Sequence, residues 1–278
     1  MCIPRPVTLL LCMLAAGCAS VDGTTDKGPE PALSPSNDGG SGDAAIEPAT
    51  GDGRILVTTS GDQLRIVAAF RSQVPSRNLP PLGDEKCHVF EPGDGSAIYA
   101  GDATAGKITV RAGSRELSLK LAGDGKFQSY ESPFSSLEGI LPGDPIEVEA
   151  TGGTVPAFRV SVALAHPLQV LTPLADGIAK DAAFDISWQP TSAGALVAIQ
   201  LAGTGKSLSC VTAAADGALV IPEEHVRAVA ADPATTDDGK PALRLGASIF
   251  TTSNVRVGAF DISAQSVRSP GQAMLVLH

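Results

Sequence analysis

Aromatic side chains are scarce in this chain: one tryptophan, two tyrosines and eight phenylalanines stand among 278 residues. That leaves little from which to build a stacking platform for sugar rings or nucleobases. Histidine is scarcer still. His88, His166, His225 and His278 are the four, and neither an H-E-x-x-H helix motif nor a close pair occurs, so the spacing of a zinc site is missing. Positive charge is in deficit, with 20 Lys and Arg against 30 Asp and Glu. A chain this acidic lacks the basic footprint of a nucleic-acid binder, and nucleic acid is not an expected partner. The serine-hydrolase elbow G-x-S-x-G is absent, as is a D-x-D-x-D-G calcium loop. The N-terminal apolar run, Val7 to Ala16, is too short to cross a hydrocarbon core of roughly 30 Å as a helix.

What stands at the N-terminus is a sorting signal. Arg5 supplies a charged head, residues 7 to 16 an apolar middle, and Ala15, Ala16 and Gly17 a small-residue end before Cys18. The run Leu14-Ala15-Ala16-Gly17-Cys18 resembles the lipobox of bacterial lipoproteins. Ala15 stands where that family more often has leucine. The resemblance implies that residues 1–17 are a signal peptide cut after Gly17. It also implies that the thiol of Cys18 takes a diacylglycerol and that the new amine is acylated. Ala19, where an aspartate signals retention in the inner membrane, implies the outer membrane. Each buried methylene contributes about 0.8 kcal/mol, and stable anchoring takes more than one chain, which three acyl groups satisfy.

Residues 18–53 are small, polar and acidic, with seven carboxylates against Lys27 alone and Ile46 as the largest apolar side chain. Such a stretch buries too little apolar surface to offset the entropy of ordering it, so a disordered linker is expected.

From residue 54 the pattern changes to strands. Leu64, Ile66, Ala68 and Phe70 alternate with other residues, as do Ile108 and Val110, Leu117, Leu119 and Leu121, Ile146 and Val148, and Phe158, Val160, Val162 and Leu164. Apolar residues at a period of two describe half-buried antiparallel sheet. Gly61-Asp62, Gly93-Asp94-Gly95, Gly123-Asp124-Gly125, Pro142-Gly143-Asp144 and Gly152-Gly153 punctuate the runs as tight turns. His166-Pro167 marks a restart, followed by runs at 168–170, 184–188, 195–201, 208–211, 243–250, 255–262 and 274–277. One helix is expected over 222–230, opened by Pro222, Glu223 and Glu224 with Val226 and Val229 on one face.

Phe184-Asp185-Ile186-Ser187-Trp188-Gln189-Pro190 resembles an early strand of fibronectin type III and other immunoglobulin-like modules. The resemblance implies that Trp188 is a core anchor between sheets. The expected fold class is all-β, with two tandem immunoglobulin-like antiparallel β-sandwich modules, residues 54–165 and 166–278. The whole chain resembles secreted bacterial lipoproteins of unassigned function built from such modules.

Candidate chemistry is thin. Gly203-Thr204-Gly205-Lys206-Ser207 echoes the end of a phosphate-binding loop, but Gln200 occupies the first glycine position and a strand follows where a helix is needed. A hairpin turn is expected there, and no nucleotide. Cys87 and Cys210 are the cysteines left to the folded part. Export permits a bond between them, but their separation favours two free buried thiols as small apolar fillers. Catalysis at Cys87 would want a histidine partner, and His88 on a strand points the other way. Glu223-Glu224-His225 fits a helix start, and Asp237-Asp238-Gly239 fits a loop. Neither catalytic, cofactor-binding nor metal-binding residues are expected, and no cofactor.

The expected function is that of a non-enzymatic, lipid-anchored envelope protein in a structural or protein-interaction role. Its partners would be the membrane, through the lipid, and other envelope proteins or glycan. The alternatives are a calcium- or glycan-binding surface module, and an envelope hydrolase on a β-sandwich scaffold.

Overall fold

The computed structural model describes residues 51–72, 86–90, 101–123, 127–133, 135–191 and 194–278. Cys18, the position expected to be lipidated, and the expected linker up to residue 50 lie outside the described residues. The described residues are mainly β, with several sheets and one short helix. In chain order the strands are β1 (Gly51–Ser60), β2 (Gln63–Arg71), β3 (Cys87–Phe90), β4 (Ile108–Ala112), β5 (Arg115–Ser118), β6 (Lys120–Ala122), β7 (Ser129–Glu131), β8 (Ser135–Ser136), β9 (Pro145–Ala150) and β10 (Phe158–Ala163). They continue as β11 (Phe184–Ser187), β12 (Leu196–Ala202), β13 (Ser207–Ala213), β14 (Ala218–Ile221), β15 (Ala234–Thr235), β16 (Pro241–Val257) and β17 (Phe260–Val276). Helix α1 (Glu223–Ala230) stands between β14 and β15.

An 11-stranded sheet forms the spine, in the order β3-β13-β12-β16-β17-β1-β2-β7-β6, with β15 beside β16 and β8 beside β2. Against one part of it lies the 4-stranded sheet β10-β9-β4-β5, and elsewhere the 2-stranded sheet β11-β14. The first core gathers Ile55, Val57, Leu64, Ile66 and Phe70 from the spine with Ile108, Val110, Ile146, Val148, Phe158 and Val160 from the 4-stranded sheet. Trp188, Ile186, Val197, Ile199, Leu201, Leu208, Leu243, Leu245 and Ile249 make the second, which α1 closes with Val226 and Val229. A smaller third cluster joins Leu56, Ala198, Phe250 and Val267.

Neither large core comes from one contiguous stretch. The C-terminal hairpin β16–β17 is long enough to serve both: Leu243, Leu245, Ala247 and Ile249 fill the second core, while Phe260, Ile262 and Ala264 fill the first. A register irregularity between Ala247 and Ile249 lets β17 change which of its residues face inward. The run at 255–262, expected as one strand, contains the hairpin's tip instead. Val257 pairs Phe260, and Gly258 makes the turn at φ +58°.

β1 is the strand that the linker reading hid. It begins at Gly51, within the stretch expected to be linker, and pairs in parallel with β17 and antiparallel with β2. Gly51 and Gly53 are packing glycines. A Cβ on Gly53 would stand 2.6 Å from the Phe70 ring, and one on Gly51 would stand 2.4 Å from the Phe260 ring. Gly51 donates its N–H to the Ala259 carbonyl at 3.0 Å, so the chain arrives from Cys18 at the end of the spine that carries the hairpin tip. The other end of β17 lies 17 residues on, about 55 Å away at some 3.3 Å per residue.

The two free thiols expected at Cys87 and Cys210 are instead one disulfide. β3 adds to β13 at the edge of the spine, Cys87 falls opposite Cys210, and the two sulfurs are bonded across a sequence separation of 123 residues. Their distance in sequence misled because the sheet brings β3 beside a strand from the far half of the chain.

Candidate functional site

Trp188 directly follows β11, with 1% of its surface exposed. Its indole Nε1 donates to the Ala214 carbonyl at 2.9 Å, and its backbone N–H donates to Gly217 at 2.9 Å. The ring is thus enclosed by the second core, with its polar edge satisfied by backbone, and presents no face for a ligand to stack on.

The other residues singled out by sequence do not converge. The Gly203–Ser207 segment turns β12 into β13, and Thr204 donates its N–H to the Asp232 carbonyl at 2.7 Å. A Cβ on Gly203 would stand 2.1 Å from that same carbonyl oxygen, so the glycine permits close packing of the turn on the chain after α1. Cys87 is buried in the second core, and the next residue, His88, lies only partly buried, with its Nε2 enclosed and unpaired. At α1, Glu223 pairs with Arg227 one turn on, and His225 Nδ1 lies 3.9 Å from Glu224. Among the described residues, no three of His, Cys, Asp and Glu side chains gather as metal ligands. No helix of the described residues is long and apolar enough to cross a membrane.

A shallow hollow of about 430 Å³ lies beside the β15–β16 turn, lined by Thr235, Thr236, Asp237, Asp238 and Met274. One of its two acidic residues, Asp238, is engaged within the turn. Asp238 pairs with Lys240 at 2.7 Å and accepts the Thr236 hydroxyl, and these two hydrogen bonds, the lysine's first, hold its carboxyl below the ordinary range. Two other carboxylates are held low in the same way. Asp102 accepts the Ser72 N–H and hydroxyl, both at 2.8 Å, and Asp216 accepts the Thr212 hydroxyl with Lys86 nearby at 3.6 Å. Each of these contacts fixes a loop or strand end.

Two features escaped the sequence reading. One is the paired charge at the start of β1, where Arg71 grips Asp52 with two donors across the β1–β2 ladder. The other is Phe127, 70% exposed, and Leu121, 49% exposed, on the β6–β7 hairpin. The sequence signal for the second was present, an aromatic two residues beyond the expected Gly123-Asp124-Gly125 turn.

No protein-family model matches the chain, and no curated protein matches it. Among solved structures it is similar to a DUF4785 family protein from Legionella pneumophila, at 12% identity and a TM-score of 0.18. The similarity takes in 69% of this chain and 49% of that one, so the chain spans about half the length of that protein. It is a weak structural similarity between mostly β proteins.

Proposed function

We propose that this is a non-enzymatic, lipid-anchored protein of the bacterial outer membrane, whose two immunoglobulin-like β-sandwich halves act as a structural or protein-interaction body. The Leu14–Cys18 lipobox carries the reading. The path of the chain supports it, because the segment from Cys18 joins the body at Gly51, at one end of the spine rather than in the middle of a face. A body held by one end presents its sides and far end to other envelope components. The disulfide suits an oxidising compartment.

Replacing Cys18 tests the anchor. The wild-type protein partitions into detergent and carries acyl mass on its N-terminal cysteine, while Cys18→Ser remains in the aqueous phase. Equal partitioning of the two, or an unacylated mature N-terminus, would end the proposal.

A further inference from the structure

β14 is an open edge. Among the described residues it pairs with β11 alone, in a register that sets Leu219 against Ile186 and Val220 against Asp185. Trp188 donates its N–H to the Gly217 carbonyl, and the same register makes Leu219 and Ile221 the residues that bond to β11. The N–H and C=O groups of Ala218 and Val220 therefore point away from β11, along the free side. Leu219 and Ile221 are buried beneath, while the Val220 side chain stands 59% exposed on the outer face. Backbone polar groups left free in a row are a template for a further strand.

Three other edge strands carry the charge that keeps sheet edges apart: Lys120 on β6, Arg115 and Glu116 on β5, and Arg159 on β10. β14 reads Ala218-Leu219-Val220-Ile221, without charge and without proline before Pro222. Its surroundings are acidic. Asp185 lies across from Val220 on the outer face, Asp216 stands two residues before the strand, and Glu223 and Glu224 follow Pro222. Lys86 meets Asp216 and Arg227 meets Glu223. Among the described residues this leaves Asp185 without a cation and Glu224 with His225 alone.

We infer that β14 takes up an extended segment of another protein, a strand of about four to six residues with apolar side chains at its centre and Lys or Arg at its ends. The inference rests on the protein-interaction reading and deepens it, without depending on the lipid anchor. Main-chain bonds to Ala218 and Val220 supply the affinity, as in other strand additions. An apolar side chain beside Val220, with cations near Asp185 and Glu224, supplies the selection. A second copy of this chain fits less well. Two β14 edges paired antiparallel about Leu219 would bring Asp216 of each toward Glu223 of the other, like charge toward like.

The probe is a synthetic peptide of about five alternating valines and threonines between pairs of lysines. Titrated into the full-length acylated protein in detergent micelles, it slows amide exchange at Ala218 and Val220. The same core between pairs of glutamates binds at least about tenfold more weakly. Val220→Pro removes an outward N–H without breaking a bond to β11, and Val220→Lys leaves the ladder whole while adding charge of the probe's own sign. Both keep the thermal unfolding midpoint and weaken the lysine peptide at least about tenfold. Val220→Lys carries the comparison if the proline variant fails to fold. Equal binding of the two peptides, undiminished binding by a folded Val220 variant, or exchange slowed elsewhere but not over 218–221 overturns the inference. So does a dimer that protects the same amides without peptide. Cys18→Ser loses the anchor and binds the peptide as before, so failure of the peptide with protein that carries acyl mass on Cys18 counts against β14 alone.

Discussion

The indole nitrogen of Trp188 and the carbonyl of Ala214 are bonded at 2.9 Å inside the second core. The pair ties the end of β11 to the short turn that follows β13, so one side chain both fills space and fixes a loop. Trp188→Ala is expected to cost about 3–5 kcal/mol, as for other buried aromatics. Trp188→Phe keeps most of the volume but orphans the carbonyl, for about 1–3 kcal/mol. Urea unfolding of the two variants checks the ranking, and equal losses would show that the hydrogen bond contributes nothing separable.

The Cys87–Cys210 bond closes a loop across a separation of 123 residues. The chain-entropy relation gives about 4–5 kcal/mol for a closure of that length. Replacing both cysteines by alanine should lower stability by that order, with the wild type falling to the same level in reductant. Two free thiols titrating in denatured, unreduced wild-type protein would refute the bond itself.

Gly53 and Gly246 are both strand glycines, and they should respond oppositely to alanine. At Gly53 the new methyl meets the Phe70 ring at 2.6 Å, and overpacking of this kind costs about 1–3 kcal/mol. At Gly246 the nearest atom is 3.6 Å away, on the flexible end of Gln200, and the backbone is not left-handed. Gly246→Ala should be neutral or stabilising by up to about 1 kcal/mol, through the unfolded chain's lost freedom. Thermal unfolding midpoints moving in the same direction would contradict this.

The carboxyls of Asp102, Asp216 and Asp238 are all held below their ordinary range by hydrogen bonds. A folded value below the unfolded one means that each group's contribution is fully present above the unfolded carboxylate range, near about 3.9. It is lost as pH falls through the lower folded value. Carboxyl chemical shifts followed on acidification should place these three below the exposed aspartates. In Asp102→Asn the loop held by Ser72 should lose its acid dependence, and an unchanged profile would remove Asp102 from the account.

Much of the strand content was legible because burial on one face leaves a period of two in the sequence. Phe158 to Leu164 shows this clearly, and β10 occupies Phe158–Ala163 with buried and exposed residues in strict alternation. β1 was not legible, since Gly51-Asp52-Gly53 carries the composition of a linker while its glycines serve ring packing. The hairpin tip at Gly258 was hidden by apolar residues on both sides, Val255 and Val257 before it and Phe260 and Ile262 after. The disulfide was beyond reach for another reason. Pairing β3 with β13 is a long-range choice of neighbour, and periodicity reports which face is buried without reporting which strand lies alongside. Phe127 went unremarked because exposure is a property of the assembled surface.

The parallel alignment of β1 with β17 has a mechanical consequence. A pull on the chain from Gly51, away from the far end of β17, acts along the strand, so the nine paired positions from Gly51–Phe260 to Thr59–Arg268 bear it together. Under load such a seam must slip as a whole, whereas a hairpin opened from its end yields one rung at a time. Stretching single molecules between residue 51 and the C-terminus should therefore show one abrupt, high-force rupture.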